Sequence, residues 1–403
     1  MGPENTEKAE KAETTGDTDG GAARLRRARY AVAAVFAVHG AVTGNFATRI
    51  PWIQGHAGVD AGGLGLALAF PAIGASLAMP LAGRMAHRLG SRAALRLLLA
   101  SWCGSLALPA LAPGLLALCG ALAVYGAASG MADVLMNALG VETEERLGRS
   151  IMSGLHGMWS AGALAGSAVG TVAAHAGTDA RVHLGIAAAL LTVLGVLACH
   201  RVLYVRTPAD ERPPPRFSLP PRAALVIGAV GFCAVFAEGA SLDWSAVYLR
   251  DVIGADPGVA AGCTTAFSCT MAATRLAGDA LVRRFGPVRT VRAGGAAATA
   301  GGVLVVWAHG PVSAIAGFAL IGVGVAVVVP LAFAAAGRAG PAPAQSIAGV
   351  ATITYTSGLV APAVIGQIAD AASLTASFGV VTVLTVGLVA GATALRPPVV
   401  ERR

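Results

Sequence analysis

A group of polar residues lies inside long apolar stretches of this sequence, where charge is rare. The group consists of Asn45, Arg49, Asp133, Asn137, His156, Glu238 and Asp243. A charged side chain at the centre of a bilayer costs at least about 2.5–3.5 kcal/mol, so such a group normally faces a cavity or a partner. Carboxylates and histidine can carry a proton there, while amides and arginine can bind a polar solute. These residues are our candidates for a solute or ion pathway.

Two pairs of candidates are predicted toward the inner side of the molecule. Asp133 and Asn137 are four residues apart and so share one helix face, as do His156 and Ser160. Either Asp133 or His156 could carry a coupling proton. Their level in the predicted helices places both pairs on the same side.

A second set is predicted toward the outer side. Arg49 follows Asn45 by four residues, and Glu238 shares a stripe with Ser241, whereas Asp243 points about 140° away from Glu238. We therefore expect Glu238 to be the main cavity acid and the preferred proton carrier, with Arg49 close to it. The alternatives are that Arg49 snorkels to the outer headgroups and that Asp243 is an ordinary interfacial charge.

Enzyme and metal chemistry have no support in the sequence. No HExxH, GxSxG or Walker A motif occurs. The six cysteines lie in apolar runs without CxxC spacing, so no metal site or disulfide is indicated. We expect a protein that is not an enzyme and holds no metal or cofactor.

The elements that must position these residues are membrane helices. The chain of 403 residues is 55% hydrophobic and 12% charged, whereas a soluble domain is about one-quarter charged. A span needs about 20 apolar residues, and twelve windows qualify. They are 28–50, 61–83, 92–111, 114–138, 150–175, 181–204, 223–249, 257–281, 288–308, 312–335, 346–369 and 375–395. The sequence predicts an all-α membrane protein with twelve transmembrane helices.

The polar stretches between the windows predict the domain organisation. We expect a disordered tail at 1–27, six-helix bundles at 28–204 and 223–396, a proline-rich linker at 205–222 and a short tail at 397–403. Most arginines fall in segments on one side, and the other side keeps only Arg49, Arg181 and Arg250. Positive charge marks the cytoplasmic side. This predicts a multi-pass protein of the inner or plasma membrane with both termini in the cytoplasm.

The net charge of +8 does not indicate a nucleic-acid partner. The basic residues recur as short clusters between apolar runs, which is typical of cytoplasmic loops rather than of a continuous binding stripe. We expect the lipid bilayer, a small-molecule solute and protons as partners, and a monomer.

An internal repeat relates the two predicted bundles at an offset of 196 positions. Arg88 to Gly90 then lies over Arg284 to Gly286, and Ser150 lies over Ser346. Trp159 and Tyr355 also become equivalent; they could flank a ring-shaped solute or pack between helices. The shared offset predicts two related six-helix halves.

The loop after the second window carries a family resemblance. Gly83, Arg88, Gly90 and Arg92 resemble the loop motif of the major facilitator superfamily, although His87 stands where that family usually has Asp. The repeat carries Arg284 and Gly286 at the matching positions and Arg283 in place of His87, with Asp279 one turn before Arg283. The resemblance is greatest to the fucose-permease-like and rhizopine-transport-like branch. It rests on Asn45–Pro51, Asp133–Asn137, Ser153–Ser160, Glu238–Asp251 and Arg275–Gly286.

This resemblance implies a fold and a class of function. It implies the superfamily's two pseudo-symmetric bundles and alternating-access transport of a small organic solute, coupled to protons. Efflux of a drug-like compound and uptake of a sugar or polyol both remain open, and a receptor that keeps the fold without transporting is the alternative. By analogy, Asp133 and His156 could pair with Arg275 to close the inner side; otherwise Asp279 satisfies Arg275 locally.

Overall fold

The computed structural model describes residues 3–148, 151–203, 222–336, 338 and 343–396, and most side chains from residue 23 onward, though not those of Asp279 and Tyr355. All regular elements of the described residues are helices. Its helices are α1 (Pro3–Ala57), α2 (Ala61–Leu89), α3 (Ser91–Ser105), α4 (Leu115–Leu147), α5 (Met152–His175), α6 (Ala180–Ala198), α7 (Arg222–Asp251), α8 (Pro257–Phe285), α9 (Pro287–Val306), α10 (Pro311–Val325), α11 (Val328–Ala336), α12 (Pro343–Ala371) and α13 (Leu374–Gly391).

Each predicted window coincides with a helix, apart from 312–335, which is divided between α10 and α11. Within the described residues, eight helical stretches are long and apolar enough to cross a membrane, with α10 and α11 together forming one of them. The predicted all-α membrane fold is confirmed. The windows at α5, α8, α9 and α12 are helices of 24, 29, 20 and 29 residues, and a total of twelve spans stays a prediction.

The N-terminal tail differs from its prediction. We expected disorder at 1–27, but α1 continues back to Pro3. Alanine, glutamate and lysine favour a helix, and Glu4 and Glu7 each precede a lysine by four residues. The apolar part of α1 suited to a span begins at Ala23. The predicted linker at 205–222 lies almost wholly outside the described residues, and the tail at 397–403 lies outside them altogether.

The helices pack as two groups with equivalent contacts. In the first group α1 packs on α5 and α2 on α4; in the second, α7 packs on α12 and α8 on α10. The groups meet where α2 contacts α12, α5 contacts α8 and α1 contacts α7. The α2–α12 and α8–α5 contacts are equivalent under the 196-residue offset, as two related halves require.

Glycines allow α1 and α5 to approach closely. Gly40 and Gly44 of α1 face Gly162 and Gly166 of α5, and a Cβ at any of these positions would overlap a backbone carbonyl oxygen of the facing helix. Small residues four apart on both partners permit such backbone contact between membrane helices. This packing fixes the rotation of α1 and α5, and therefore fixes which of their polar residues face the other half.

Candidate functional site

Arg275 on α8 is the centre of the polar contacts between the two halves. Its Nη2 donates to both carboxylate oxygens of Glu238 on α7, at 2.9 and 3.0 Å. Its Nη1 donates to Ser160 Oγ on α5 at 3.3 Å. The Glu238 and Arg275 side chains are about four-fifths buried, with 20% and 21% of their surfaces exposed. The guanidinium therefore neutralises one acid of its own half and binds a hydroxyl of the other.

A break between α10 and α11 supplies another acceptor for Arg275. Proline has no backbone N–H, so Pro330 leaves the carbonyl four residues earlier, that of Ala326, without its helical partner. Arg275 Nε donates to this carbonyl at 3.3 Å. The helix break thus helps to fix the guanidinium, and an arginine held at several points is a rigid hydrogen-bonding group.

The expected inner lock is not formed. Asp133 Oδ1 accepts a hydrogen bond from Asn137 Nδ2 at 3.1 Å, and the His156 ring packs edge-on against Phe36 with 5.4 Å between ring centroids. Glu238, rather than Asp133 or His156, pairs with Arg275. Spacing in the sequence placed Glu238 and Arg275 at different levels, so this pair was not predicted. The alternative partner Asp279 has a side chain outside the described set.

Arg49 and Asn45 face the interior of the first half. Asn45 Oδ1 accepts from His183 Nε2 on α6 at 2.9 Å, and Arg49 donates to the carbonyl of Thr178 in the α5–α6 loop. Arg49 is 3% exposed, so it does not snorkel to headgroups. The expected contact between Arg49 and Glu238 was wrong, because packing against α5 and α6 turns this face of α1 away from α7.

A permanent negative charge lies near Arg49. Asp179, in the loop before α6, is within electrostatic range of the Arg49 guanidinium. Hydrogen bonds from the side chain and the backbone N–H of Arg181 lower the pKa of Asp179 to about 2. Asp179 therefore stays ionised at physiological pH and partly balances the buried cation.

Trp159 is fixed by a histidine that the site prediction left out. The Trp159 indole Nε1 donates to His39 Nδ1 at 3.1 Å, and the other ring nitrogen of His39 lies 3.5 Å from the Ser129 carbonyl. His39 also stacks on Trp102, with 5.0 Å between ring centroids. Because Nδ1 accepts, His39 must be neutral with its proton on Nε2. Trp159 is therefore oriented by packing within its own half; the side chain of its repeat equivalent, Tyr355, lies outside the described set.

The loop-motif residues occupy equivalent turns. Gly90 and Gly286 both have φ of 77° and separate consecutive helices, as the repeat predicts. Arg92 Nε donates to the Val202 carbonyl after α6 at 2.9 Å, so this arginine ties helices of one half together. The remaining motif residues are at the surface, namely Gly83, His87, Arg88 and Arg284. Their gating role stays a prediction.

Asp243 differs from Glu238 in having no partner. It is half-buried on α7, and it forms no hydrogen bond or ion pair with any residue the structure describes. The Tyr125 hydroxyl of α4, in the other half, lies within electrostatic range of it. That hydroxyl is buried and also lacks a hydrogen-bond partner within the described chain.

Contacts that the sequence analysis did not predict join the halves at one end. We call this the distal end, which carries the loops at 58–60, 176–179, 252–256 and 372–373. Arg250 at the end of α7 donates to the Pro51 carbonyl and to Gln54 Oε1 of α1, the latter at 2.6 Å. Thr171 of α5 and Thr265 of α8 share a hydrogen bond of 2.8 Å. Across the described residues, no hydrogen bond between halves lies farther from the distal end than Ser160–Arg275.

Comparisons with known proteins agree with this architecture. The model of the Major Facilitator Superfamily matches residues 32–361. An uncharacterized transporter of Sinorhizobium fredii is 36% identical over 329 residues, covering 80% of this chain and 86% of that protein. The membrane protein MosC of Rhizobium meliloti is 32% identical over 313 residues, covering 76% and 74%.

Solved structures show the same fold at low identity. The nucleoside transporter NupG superposes with a TM-score of 0.71 at 14% identity, covering 91% of this chain and 99% of that one. A D-xylose–proton symporter gives a TM-score of 0.70 at 12% identity, covering 93% and 99%.

Proposed function

The chain belongs to the major facilitator superfamily, and from that premise we propose that it carries a small, uncharged, hydrogen-bonding organic solute between its halves by alternating access. The observation that supports this most is the position of Arg275. It contacts Glu238 in its own half and Ser160 in the other. A solute bound here touches both halves, so its binding can shift the equilibrium between their arrangements.

The charge of this site favours a neutral solute. Glu238 and Arg275 neutralise each other, so neither is left over to attract an ion of opposite sign. Together with Ser160 they offer donors and acceptors within a few ångströms, which suits a compound with several hydroxyl groups, such as a sugar or polyol. A lipophilic drug-like compound would displace water from these polar groups without replacing its hydrogen bonds, which is unfavourable.

The proposal includes coupling to protons and a cell-membrane location with both termini in the cytoplasm. A buried carboxylate can store a proton, and the arginine-rich loops lie at the end that carries the termini. The direction of net transport follows from the electrochemical gradients of the solute and of the coupled proton.

Thermal unfolding of the purified protein provides the first test. A ligand that binds the folded state raises the unfolding midpoint, so we expect pentoses, hexoses or linear and cyclic polyols to raise it and lipophilic cations to leave it unchanged. Ser160→Ala should weaken the shift. Ser313→Ala is the control, because among the residues that the structure describes Ser313 bonds only the Gly310 carbonyl at the start of α10.

The hits are then tested for movement in proteoliposomes loaded with the same solute. Counterflow of labelled solute is the expected result. Binding without counterflow would identify a receptor instead, and a response to lipophilic cations alone would contradict the proposed solute class.

A further inference from the structure

Two carboxylates on α7 have opposite surroundings. Glu238 receives two hydrogen bonds from the Arg275 guanidinium. Asp243 has neither a hydrogen-bond partner nor an ion-pair partner among the described residues. An ion pair holds a carboxylate in its charged form, while an unpaired carboxylate within the membrane is stabilised by taking up a proton. The missing partner makes Asp243, rather than Glu238, our candidate proton carrier, which reverses the preference drawn from the sequence.

The helix geometry shows which way Asp243 points. Asp243 and Arg250 are seven residues apart on α7, so they share a face. Arg250 contacts α1 of the other half through Gln54, and Asp243 therefore faces that half too. On α1, Phe46 lies eight residues before Gln54. At 1.5 Å per residue, Asp243 and Phe46 are both about 10–12 Å inward of the distal contact.

Tyr125 lies at that same level. Its ring packs against Phe46 with 4.9 Å between centroids and against Trp102 with 4.2 Å, and it is 5% exposed. Its hydroxyl has no partner in the described part of the chain. A phenol can donate to an ionised carboxylate and accept from a protonated one, so it suits both states of an acid.

We propose that Asp243, facing Tyr125 across the two halves, is the proton-binding site of this protein, separate from the solute site at Glu238, Ser160 and Arg275. This rests on the proposed function. A proton from water adds to the Asp243 carboxylate to give the neutral acid, and its release restores the carboxylate; no other bond changes. Because the site lies between the halves, its charge can depend on how they are arranged.

Several other titratable groups near α7 are already engaged in hydrogen bonds. Arg49 binds Thr178, His39 binds Trp159, and Arg275 binds Glu238. The helices α10, α11 and α13 carry no titratable side chain. The remaining titratable groups on the packed elements include Cys263 and Cys269 of α8, Asp370 of α12, and Cys233, Tyr248 and Asp251 of α7 itself, while the side chain of Tyr355 on α12 lies outside the described set. Asp370 packs on Gly62 at the distal end, and Tyr248 donates to the Val305 carbonyl.

Infrared difference spectroscopy of the full-length protein in nanodiscs tests the proposal without any solute. We expect the carbonyl stretch of a protonated carboxylic acid that appears as the bulk pH is lowered. Asp243→Asn should remove the band, and Asp243→Glu should shift it. Tyr125→Phe should move the pH at which it appears. Glu238→Gln and Asp133→Asn should keep it.

Isotope-labelled aspartate in the wild-type protein gives a readout that needs no variant to fold. Labelling should shift the band, since an aspartate carries it. A band that survives in Asp243→Asn, that is lost in Glu238→Gln or Asp133→Asn, or that does not respond to labelled aspartate overturns the proposal. The band does not depend on solute flux. A failure of the proposed transport would therefore appear only in the counterflow assay, and a failure of the proposed proton site only in the infrared spectrum.

Discussion

At Arg275, one guanidinium balances a carboxylate inside the membrane, so each member of the pair depends on the other. Removing one partner of a buried ion pair leaves an uncompensated charge, which costs on the order of 3 kcal/mol. We expect Glu238→Gln and Arg275→Gln each to lower the free energy of unfolding by about that much. The double variant should lose less than the sum of the two, because it leaves no charge behind.

Thermal unfolding of the purified variants in one detergent measures this coupling. The matched control is Glu142 with Arg146, an ion pair of 2.6 Å at an exposed position on α4. Exposed pairs one helical turn apart contribute only about 0.3–0.5 kcal/mol, so their neutral variants should behave like the wild type. Additive losses at Glu238 and Arg275 would show that the pair is not energetically coupled.

The sequence predicted which residues form the polar site better than it predicted which side chains they contact. Spacing correctly placed Asp133 and Asn137 on one face, and they are hydrogen-bonded. It could not predict that Asn45 and Arg49 face α6, because periodicity gives the angle between residues but not the rotation of the helix against its neighbours. That rotation is decided by the contact of Gly40 and Gly44 with α5.

At the scale of elements, close packing of α1 on α5 makes glycine necessary. Gly162→Ala would place a methyl group on the Ala37 carbonyl oxygen, and overpacking of this kind costs about 1–3 kcal/mol. We expect a lower unfolding midpoint in the purified protein. Gly185→Ala on α6 is the matched control, since a Cβ there meets nothing within 4 Å, and alanine in an open helical position gains about 0.5–1 kcal/mol. Equal midpoints for both variants would contradict the close contact.

The positions of the helices could be predicted from the lengths of the apolar runs. The break between α10 and α11 could not, because hydropathy averaged over the run does not distinguish one proline from the apolar residues around it. Val323 to Val329 reads as one continuous apolar segment, yet Pro330 removes a backbone donor and the helix breaks before it. The freed carbonyl of Ala326 then binds Arg275 from α8. Since that partner is 51 residues away, no local pattern in the sequence indicates it.

At the scale of the whole molecule, the repeat predicts how the helices of the two halves are arranged, but not which half carries a given polar residue or close contact. The contacts of α2 with α12 and α8 with α5 are equivalent. In contrast, Gly162 packs on the α1 backbone, while a Cβ at its repeat equivalent, Gly358, would meet nothing within 4 Å. The glycine contact of α5 with α1 is therefore not repeated at Gly358, and the acid that pairs with a cation, Glu238, belongs to the second half.

The distal contact of Arg250 should control how often the halves separate at that end. Arg250→Ala removes charge-assisted hydrogen bonds to Pro51 and Gln54. Such bonds contribute about 1.5–3 kcal/mol each, and 1.4 kcal/mol changes a population about tenfold. In a cysteine-free background, a reporter made by Thr265→Cys lies opposite Thr171 between the halves. Since two such bonds are lost, we expect a maleimide to label it at least about a hundredfold faster in Arg250→Ala than in the parent protein, in nanodiscs.

Arg181→Ala provides the matched control for this measurement. Arg181 is also an arginine at the distal end with a carboxylate partner, but that partner, Asp179, belongs to the same half. The Arg181 guanidinium lies 5.7 Å from the ring centre of Trp52, which is also in that half. Its loss removes a positive charge without breaking a bond between halves, so labelling should stay at the parent rate. Equal acceleration in both variants would mean that charge near the reporter, rather than closure by Arg250, sets the labelling rate. Unchanged labelling in Arg250→Ala would mean that the glycine contact of Gly65 with Gly366 is sufficient to hold this end closed.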